Sequence, residues 1–524
     1  MHLHFPSPRI LALVACLVLT TVPFLFVTLI PVTDLPQQLV QARLFWETLG
    51  GAHQGQMVIN WWSPNSLAYL LLVLGWKILP TFLLGKICVL ILALGWVAAV
   101  HHLAKRRNRS IASTVFASVF VFNLSLYWGL LGFMLGWPLF VLWLTYATNL
   151  DDGPLSFANG LKGTAILLVL LLAHALWFLV GVAALVLLQI MARKPLRVVV
   201  RSLVLALPAA IAAAFWFPHI ASTRALWGFD NSIEYSVPII RRLSSWWVVD
   251  ASLGGLRSPL EFMIVVSVIL WIVMGILMHR RTLATSIDFP MGILGLLFIL
   301  FSFLGPEKFL NTILFSVRWF PIGLILILLA APPPTLLSDD KENVADTLHL
   351  RSRALLPLFT LAIMSALAVS TAVSWRTFEY AELYGLRESL DVIPDGSSVL
   401  GLDFIKTSAV LKGRPFLQDF AYAQALHGGS SNFSFAWHQS GIVADTCPWT
   451  LKWTPGLEWN ADSVKASDVK LFDVVLVNGS DATQDMMAES GLVKPLSFIG
   501  RWRAYKTLPP SNRQTPPSIT PHPK

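Results

Sequence analysis

Charge is scarce along this chain. Asp, Glu, Lys and Arg make up 13% of its 524 residues, against 55% hydrophobic residues and a mean hydropathy of +0.66. That scarcity excludes both an ordinary soluble domain and a disordered polymer, each of which needs a strongly polar surface. Cysteine is scarcer still, with 3 residues; Cys16 and Cys88 fall inside apolar runs and Cys447 lies far from both, so no disulfide framework is implied. A Gly-rich phosphate loop, a Walker sequence and a Ser-His-Asp signature are all missing. No cofactor is expected, and a resident metal has no ligand set to hold it: the segments read below as outer loops contain neither Asp-x-Asp nor a His-rich cluster.

What the chain has is long apolar runs punctuated by basic clusters. The run 10–30 is long enough to cross a bilayer, exceeds a signal-peptide h-region and has no small-x-small site after it, so it reads as a retained first span. The basic clusters are Lys105-Arg106-Arg107 with Arg109, Arg193-Lys194 with Arg197 and Arg201, Arg280-Arg281, and Lys341 with Arg351 and Arg353. Short cytoplasmic loops collect Lys and Arg. Placing all four clusters inside predicts about eleven spans, at 10–30, 83–102, 110–128, 132–148, 163–173, 176–190, 198–217, 259–278, 289–304, 320–336 and 354–375, with a cytoplasmic N-terminus. The apolar stretch 164–190 is too long for one upright helix and short for two, and His174 interrupts it. The formal charge of +9 then belongs mostly to inner loops facing anionic membrane lipids, and implies no nucleic-acid partner.

An odd number of spans from an inside N-terminus puts the chain after 375 on the outer face of a plasma or inner membrane. There 397–402, 472–477 and 497–506 read as strands and 378–390 as a helix, predicting a small mixed α/β domain over 376–508. Residues 509–524, rich in Pro, Ser and Thr, read as an unstructured tail.

Asp34 stands where the first span leaves the hydrocarbon, in Pro31-Val32-Thr33-Asp34-Leu35-Pro36. A carboxylate at that depth can take a proton from an acceptor whose partner arrives through the lipid, although Asp and Pro also suit a helix-ending turn. Between Asp34 and Lys105 lie two apolar stretches, 67–79 and 83–100, of which only one can cross. The first is shorter and flanked by Trp61-Trp62, Trp76 and Lys77, so it reads as a helix lying on the membrane surface. The alternation of Leu39, Ala42, Phe45 and Leu49 with Gln38, Gln41, Arg43 and Glu47 predicts a second amphipathic helix over 37–49. Together they make a long first outer loop, 31–82.

This plan of a first span, an acid just after it, a long loop of juxtamembrane helices, the segment Asn60-Trp61-Trp62-Ser63-Pro64-Asn65, and a second span ending in Lys-Arg-Arg resembles the GT-C superfamily of membrane glycosyltransferases, which includes protein O-mannosyltransferases and the lipid A aminoarabinose transferase. Downstream, Ser316-Val317-Arg318-Trp319-Phe320-Pro321 is similar to the Arg-Tyr-x-x-Pro element that opens a late helix in those enzymes. The resemblance implies a multi-span bundle capped by an outer α/β domain, and transfer of a sugar from a polyprenyl-phosphate carrier to an acceptor it does not identify. Asp34 inherits the role of the acid. Arg318 is placed at the donor phosphate, which a guanidinium can bind in bidentate fashion, with Lys308 as a weaker second. Arg43, Asn60, His174 and Glu307 are candidates for the cavity around them. The chain departs from the family in one respect: a second acid often adjoins the first, whereas here Leu35 and Pro36 follow. Glu47, Asp230 and Glu234 could supply another carboxylate but also read as surface residues.

His427, His438, Asp445 and Cys447 have zinc-binding chemistry without zinc-binding spacing. A transporter or a non-catalytic envelope scaffold of the same architecture is the alternative reading, and the internal repeats that favour a transporter are not found. The orientation has a direct check. Alkaline phosphatase fused after Lys524 is expected to be active and a cytoplasm-dependent fluorescent protein at the same point dark; the opposite pair of results would invert the assignment.

Overall fold

The computed structural model describes residues 7–509 except Trp62, 151–155, 227–231, Asn311, 335–342, 439–440 and 447–450. Asp230, Lys341, Cys447 and the predicted tail beyond 509 fall outside the described residues.

Apolar helices follow one another to residue 377. Among the described residues seven are long and apolar enough to cross a membrane: α1 (Pro8–Leu25), α4 (Thr81–Arg106), the pair α5 (Ile111–Ser118) and α6 (Leu124–Trp128), α7 (Leu131–Thr148), the pair α10 (Leu196–Leu203) and α11 (Leu207–Leu226), α12 (Pro259–Met278), and the membrane part of α15 (Asn343–Thr377). Shorter apolar helices occupy the remaining predicted crossings: α8 (Phe157–Ala173), α9 (Ala175–Met191), α13 (Phe289–Leu304) and α14 (Phe320–Ala330). The chain is thus a polytopic helical membrane protein.

Local chemistry explains the breaks. His174 divides α8 from α9 because its Nδ1 accepts the Leu176 amide at 3.2 Å, capping the second helix. Asn123 does the same before α6, accepting the Ser125 amide at 2.8 Å. The run expected as a helix over 320–336 ends at Ala330, because Pro332, Pro333 and Pro334 cannot continue it and Ala331 turns extended ahead of them. So short a helix could not span lipid alone. It does not need to: nearly all of α14 is buried among its neighbours, and Gly295 of α13 faces Gly323 so closely that a Cβ on either would sit within 3 Å of the other's carbonyl oxygen.

The two ends of the bundle differ. At one, Arg107 grips Asp288 through two bonds of 2.6 Å, and Arg109 donates to the Ala330 carbonyl at 2.7 Å. At the other, the chain leaving α1 is tied down by Glu379, whose carboxylate accepts the Thr28 and Leu29 amides at 2.9 and 2.8 Å, and by Lys86, which donates to the Val27 carbonyl at 3.0 Å.

This second end carries α2 (Leu35–Leu49), α3 (Ser66–Gly75) and the C-terminal α/β region. The region's sheet has five strands: β2 (Ser398–Asp403) lies parallel to β3 (Ser430–Ser431) and to β5 (Val474–Asn478), β7 (Trp502–Thr507) runs antiparallel to β5, and β6 (Val493–Pro495) antiparallel to β7. The expected strands lie within a few residues of β2, β5 and β7, whereas the expected helix 378–390 is a wide turn over Phe378–Glu382 followed by Leu386–Asp391. The first outer loop contributes β1 (Met57–Ile59), which pairs antiparallel with β4 (Val443–Asp445) of this region. Part of the polar face of α2 accordingly meets this region. Gln37 and Gln41 are fully buried against the sheet region, where Gln37 bonds to Phe433 and Phe435 and Gln41 accepts the Val443 amide at 2.9 Å.

Lys412 makes a further joint, donating to Asp250 at 2.6 Å and to the buried carboxylate of Glu261, on α12, at 2.9 Å. Replacing it by Met strands Glu261 without a cation, which costs about 3 kcal/mol. The Lys412→Met protein is expected to melt several degrees lower and to be cut faster by protease in the 404–415 loop; unchanged melting and cleavage would show that the joint is ornamental.

Candidate functional site

Asp34 occupies the position just before α2, yet its carboxylate does not cap that helix. Pro36 removes one of the amides a cap would serve, and the side chain is turned elsewhere. The backbone holds it there: the Thr33 and Asp34 amides donate to the Tyr127 and Trp128 carbonyls at 2.9 and 3.2 Å. Gly129 makes that approach feasible. Its φ of +74° suits glycine, and a Cβ would lie 2.9 Å from Val32 Cγ1 and 3.2 Å from the Asp34 Cβ.

Burial pushes the Asp34 carboxyl up to about 8, and Arg318 pulls in the opposite direction. The two side chains therefore lie within electrostatic reach of one another. Arg318 is 2% exposed. Its Nε donates to the Leu314 carbonyl at 2.9 Å, Nη2 donates to the Ile313 carbonyl, and the guanidinium lies 5.5 Å from the Phe133 ring centroid. Neither backbone bond uses Nη1, so one edge of the fork stays available. Behind it is an aromatic floor in which Trp319 stacks on Phe298 at 5.3 Å and meets Phe133 and Trp177 edge-on, each at 4.9 Å.

Two more groups join the pair. Burial, reinforced by Arg318, pushes His174 down to about 3, keeping the imidazole neutral. Since Nδ1 is the acceptor for Leu176, Nε2 carries the proton and can donate. Tyr69, on α3, has its phenol pushed up by burial and then by Asp34. The site thus combines one acid, one permanent cation and two neutral groups able to hydrogen-bond in a place poor in water. That set can accept a proton and hold an anion.

Arg318 lies within electrostatic reach of both Asp34 and His174, and the other candidates have partners of their own. Lys308 bonds to Glu234 at 2.7 Å, and Glu307 pairs at 2.5 Å with Arg242, a fully buried guanidinium. Arg43 joins Glu47 at 2.6 Å and the Leu426 carbonyl at 2.8 Å, and Asn60 reaches the Gly441 carbonyl at 3.3 Å, so both tie the first loop to the sheet region. Glu47 and Glu234, the spare carboxylates, are the partners just named. Tyr69 escaped sequence reasoning because a Tyr in a short apolar helix looks like an interfacial anchor. Among the described residues no three His, Cys, Asp or Glu side chains come together as a metal site; His427 contacts Asp395 at 2.9 Å, and His438 sits among Phe433 and Phe435.

The fold is GT-C-like. Among solved structures, the crystal structure of ArnT from Cupriavidus metallidurans bound to undecaprenyl phosphate superposes on it with a TM-score of 0.50 at 13% identity, covering 95% of this chain and 97% of that one. No protein-family model and no curated protein matches the chain.

Gly129 tests whether the position of Asp34 matters. Gly129→Ala puts a Cβ into the Val32–Asp34 backbone and adds about 1–2 kcal/mol of left-handed strain. It is expected to lower the melting temperature modestly and to reduce activity by more than the melting shift explains. Full activity would mean that the loop carrying Asp34 tolerates displacement.

Proposed function

We propose that this protein is a membrane glycosyltransferase that moves a glycosyl group from a polyprenyl-phosphate carrier to an acceptor hydroxyl or amine at the outer face. The reading is supported by one observation, a half-buried Asp34 carboxyl left free of the adjoining helix and within the electrostatic reach of Arg318. The GT-C-like fold, and the undecaprenyl phosphate bound by the ArnT structure it resembles, support the choice of donor.

In the mechanism we infer, Arg318 holds the phosphate of the donor while its polyprenyl tail remains in lipid. The acceptor is seated on Asp34, attacks the anomeric carbon from the side opposite the phosphate, and inverts it. The bond from that carbon to the phosphate oxygen breaks as the new glycosidic bond forms. The electron pair leaves on the phosphate, where Arg318 and the His174 Nε2–H meet the charge, and the acceptor proton passes to Asp34. A carboxylate of raised pKa is a stronger base than an ordinary aspartate. Tyr69, within electrostatic reach of Asp34, is the residue we would assign to orienting it.

Activity should follow the charge state of Asp34. With a pKa of about 8, about one-tenth of the carboxyl is ionised at pH 7, so kcat/KM is expected to rise close to tenfold per pH unit below neutrality and level off above about 8. Asp34→Asn keeps the shape and removes the base; transfer measured with a radiolabelled polyprenyl-phosphate sugar should fall at least about 100-fold with normal expression. Arg318→Lys keeps one charge but loses the planar fork, and should weaken donor binding more than it lowers stability. Native-rate transfer by purified Asp34→Asn would reduce Asp34 to a turn residue and defeat the proposal.

A further inference from the structure

A cavity opens at the end of the bundle opposite Asp34. It holds about 170 Å³ between four helices, and its lining includes Arg106 and Arg107 at the end of α4, Leu144 of α7, Leu188 of α9, and Met291 and Leu294 of α13. The interior wall is apolar and the rim is basic. Those helices end at the rim, so the cavity straddles the boundary between hydrocarbon and headgroups.

Most polar groups at the rim already have partners. Arg107 is engaged by Asp288 through both oxygens at 2.6 Å, while Asp288 also caps α13 by accepting the Met291 amide at 3.3 Å. The Thr148 hydroxyl and the Asn149 amide are bonded to carbonyls of their own helix, Leu144 and Thr145, at 2.9 and 2.8 Å. Arg106 differs. It is exposed, lines the cavity, and has no hydrogen bond or ion pair among the described residues. One uncompensated guanidinium thus stands over an apolar hole, with Lys105 beside it.

Size narrows the occupant. Sites that enclose a whole small molecule run to about 300 Å³ or more, so a nucleotide or a sugar phosphate would not fit. A cavity near the volume that accommodates benzene suits one part of a ligand whose remainder lies in the bilayer. We propose that it binds an anionic phospholipid, with the phosphate on Arg106 and the start of one acyl chain between Leu144, Leu188 and Leu294. Such a lipid bridges the ends of α4, α7, α9 and α13 and supplies the anion that Arg106 lacks, as basic pockets between membrane helices do for lipid headgroups. This site is independent of the transfer chemistry at Asp34.

Native mass spectrometry of the full chain, released from nanodiscs holding equal phosphatidylglycerol and phosphatidylcholine, tests it. Phosphatidylglycerol should be retained over phosphatidylcholine. Arg106→Gln should cut that retention about tenfold, the scale of one lost charge-assisted bond to phosphate, whereas Lys105→Gln, adjacent but outside the lining, should leave it unchanged. Leu294→Trp fills the cavity without touching Arg106 and should also expel the lipid; if that variant fails to fold, the Arg106 and Lys105 pair decides alone. Equal retention of the two lipids, or equal losses from the two charge variants, overturns the proposal. So does heat protection by inorganic phosphate in detergent that matches protection by phosphatidylglycerol, because the ligand would then be a free anion.

Discussion

A half-buried carboxyl and a buried guanidinium lie within electrostatic reach at one end of a helical bundle, and much of the surrounding structure serves that constraint. Withdrawing an isolated charge from water costs several kcal/mol, so each needs the other or a set of dipoles nearby. Arg318 has backbone carbonyls and the Phe133 face; Asp34 has Arg318 and a raised pKa that lets it hold a proton when nothing else is bound. Such an arrangement is poised: an incoming anion and an acceptor carrying a proton complete it.

Positioning comes from chain ends and breaks. α1 stops at Leu25, and the non-helical segment after it is clamped by Glu379 and Lys86 before it reaches Asp34. Gly129 lets the α6–α7 turn press against that segment, and the break at His174 sets an imidazole within electrostatic reach of Arg318. The aromatic floor beneath Arg318 excludes water from below. Above, the α/β region is fastened by β-pairing to the first outer loop, by the α2 glutamines and by Lys412, so that the loop bearing Asp34 is held from both sides.

The loop before Arg318 is dense in charge, but those charges are spent on one another. Arg242 lies fully buried against Glu307 and the Phe303 carbonyl, and Lys308 leans on Glu234. This internal neutralisation gives the loop a fixed shape and leaves Arg318 as the cation within electrostatic reach of Asp34. Lys308, expected as a second anion binder, is paired with Glu234 at 2.7 Å.

Hydropathy and helix-end chemistry are local, and what they govern was legible in the sequence. The spans follow from apolar runs, the interruption of 164–190 from one polar His, and the place of Asp34 and Arg318 at helix ends from the turn and proline residues beside them. The pairing of Asp34 with Arg318 was reached through family resemblance, because nothing in the intervening residues encodes it. What only the tertiary structure decided depends on contacts between residues hundreds of positions apart: the Gln37 and Gln41 bonds to Phe435 and Val443, the β1–β4 pairing, and the partners of Lys308, Arg43 and Asn60. The amphipathic pattern of α2 announced that one face seeks polar company, but a pattern of period 3.6 cannot say whether that company is lipid headgroups, water or another part of the same chain. Tyr69 comes within electrostatic reach of Asp34 because α3 packs against α2, a matter of packing for which a single aromatic residue gives no periodic signal.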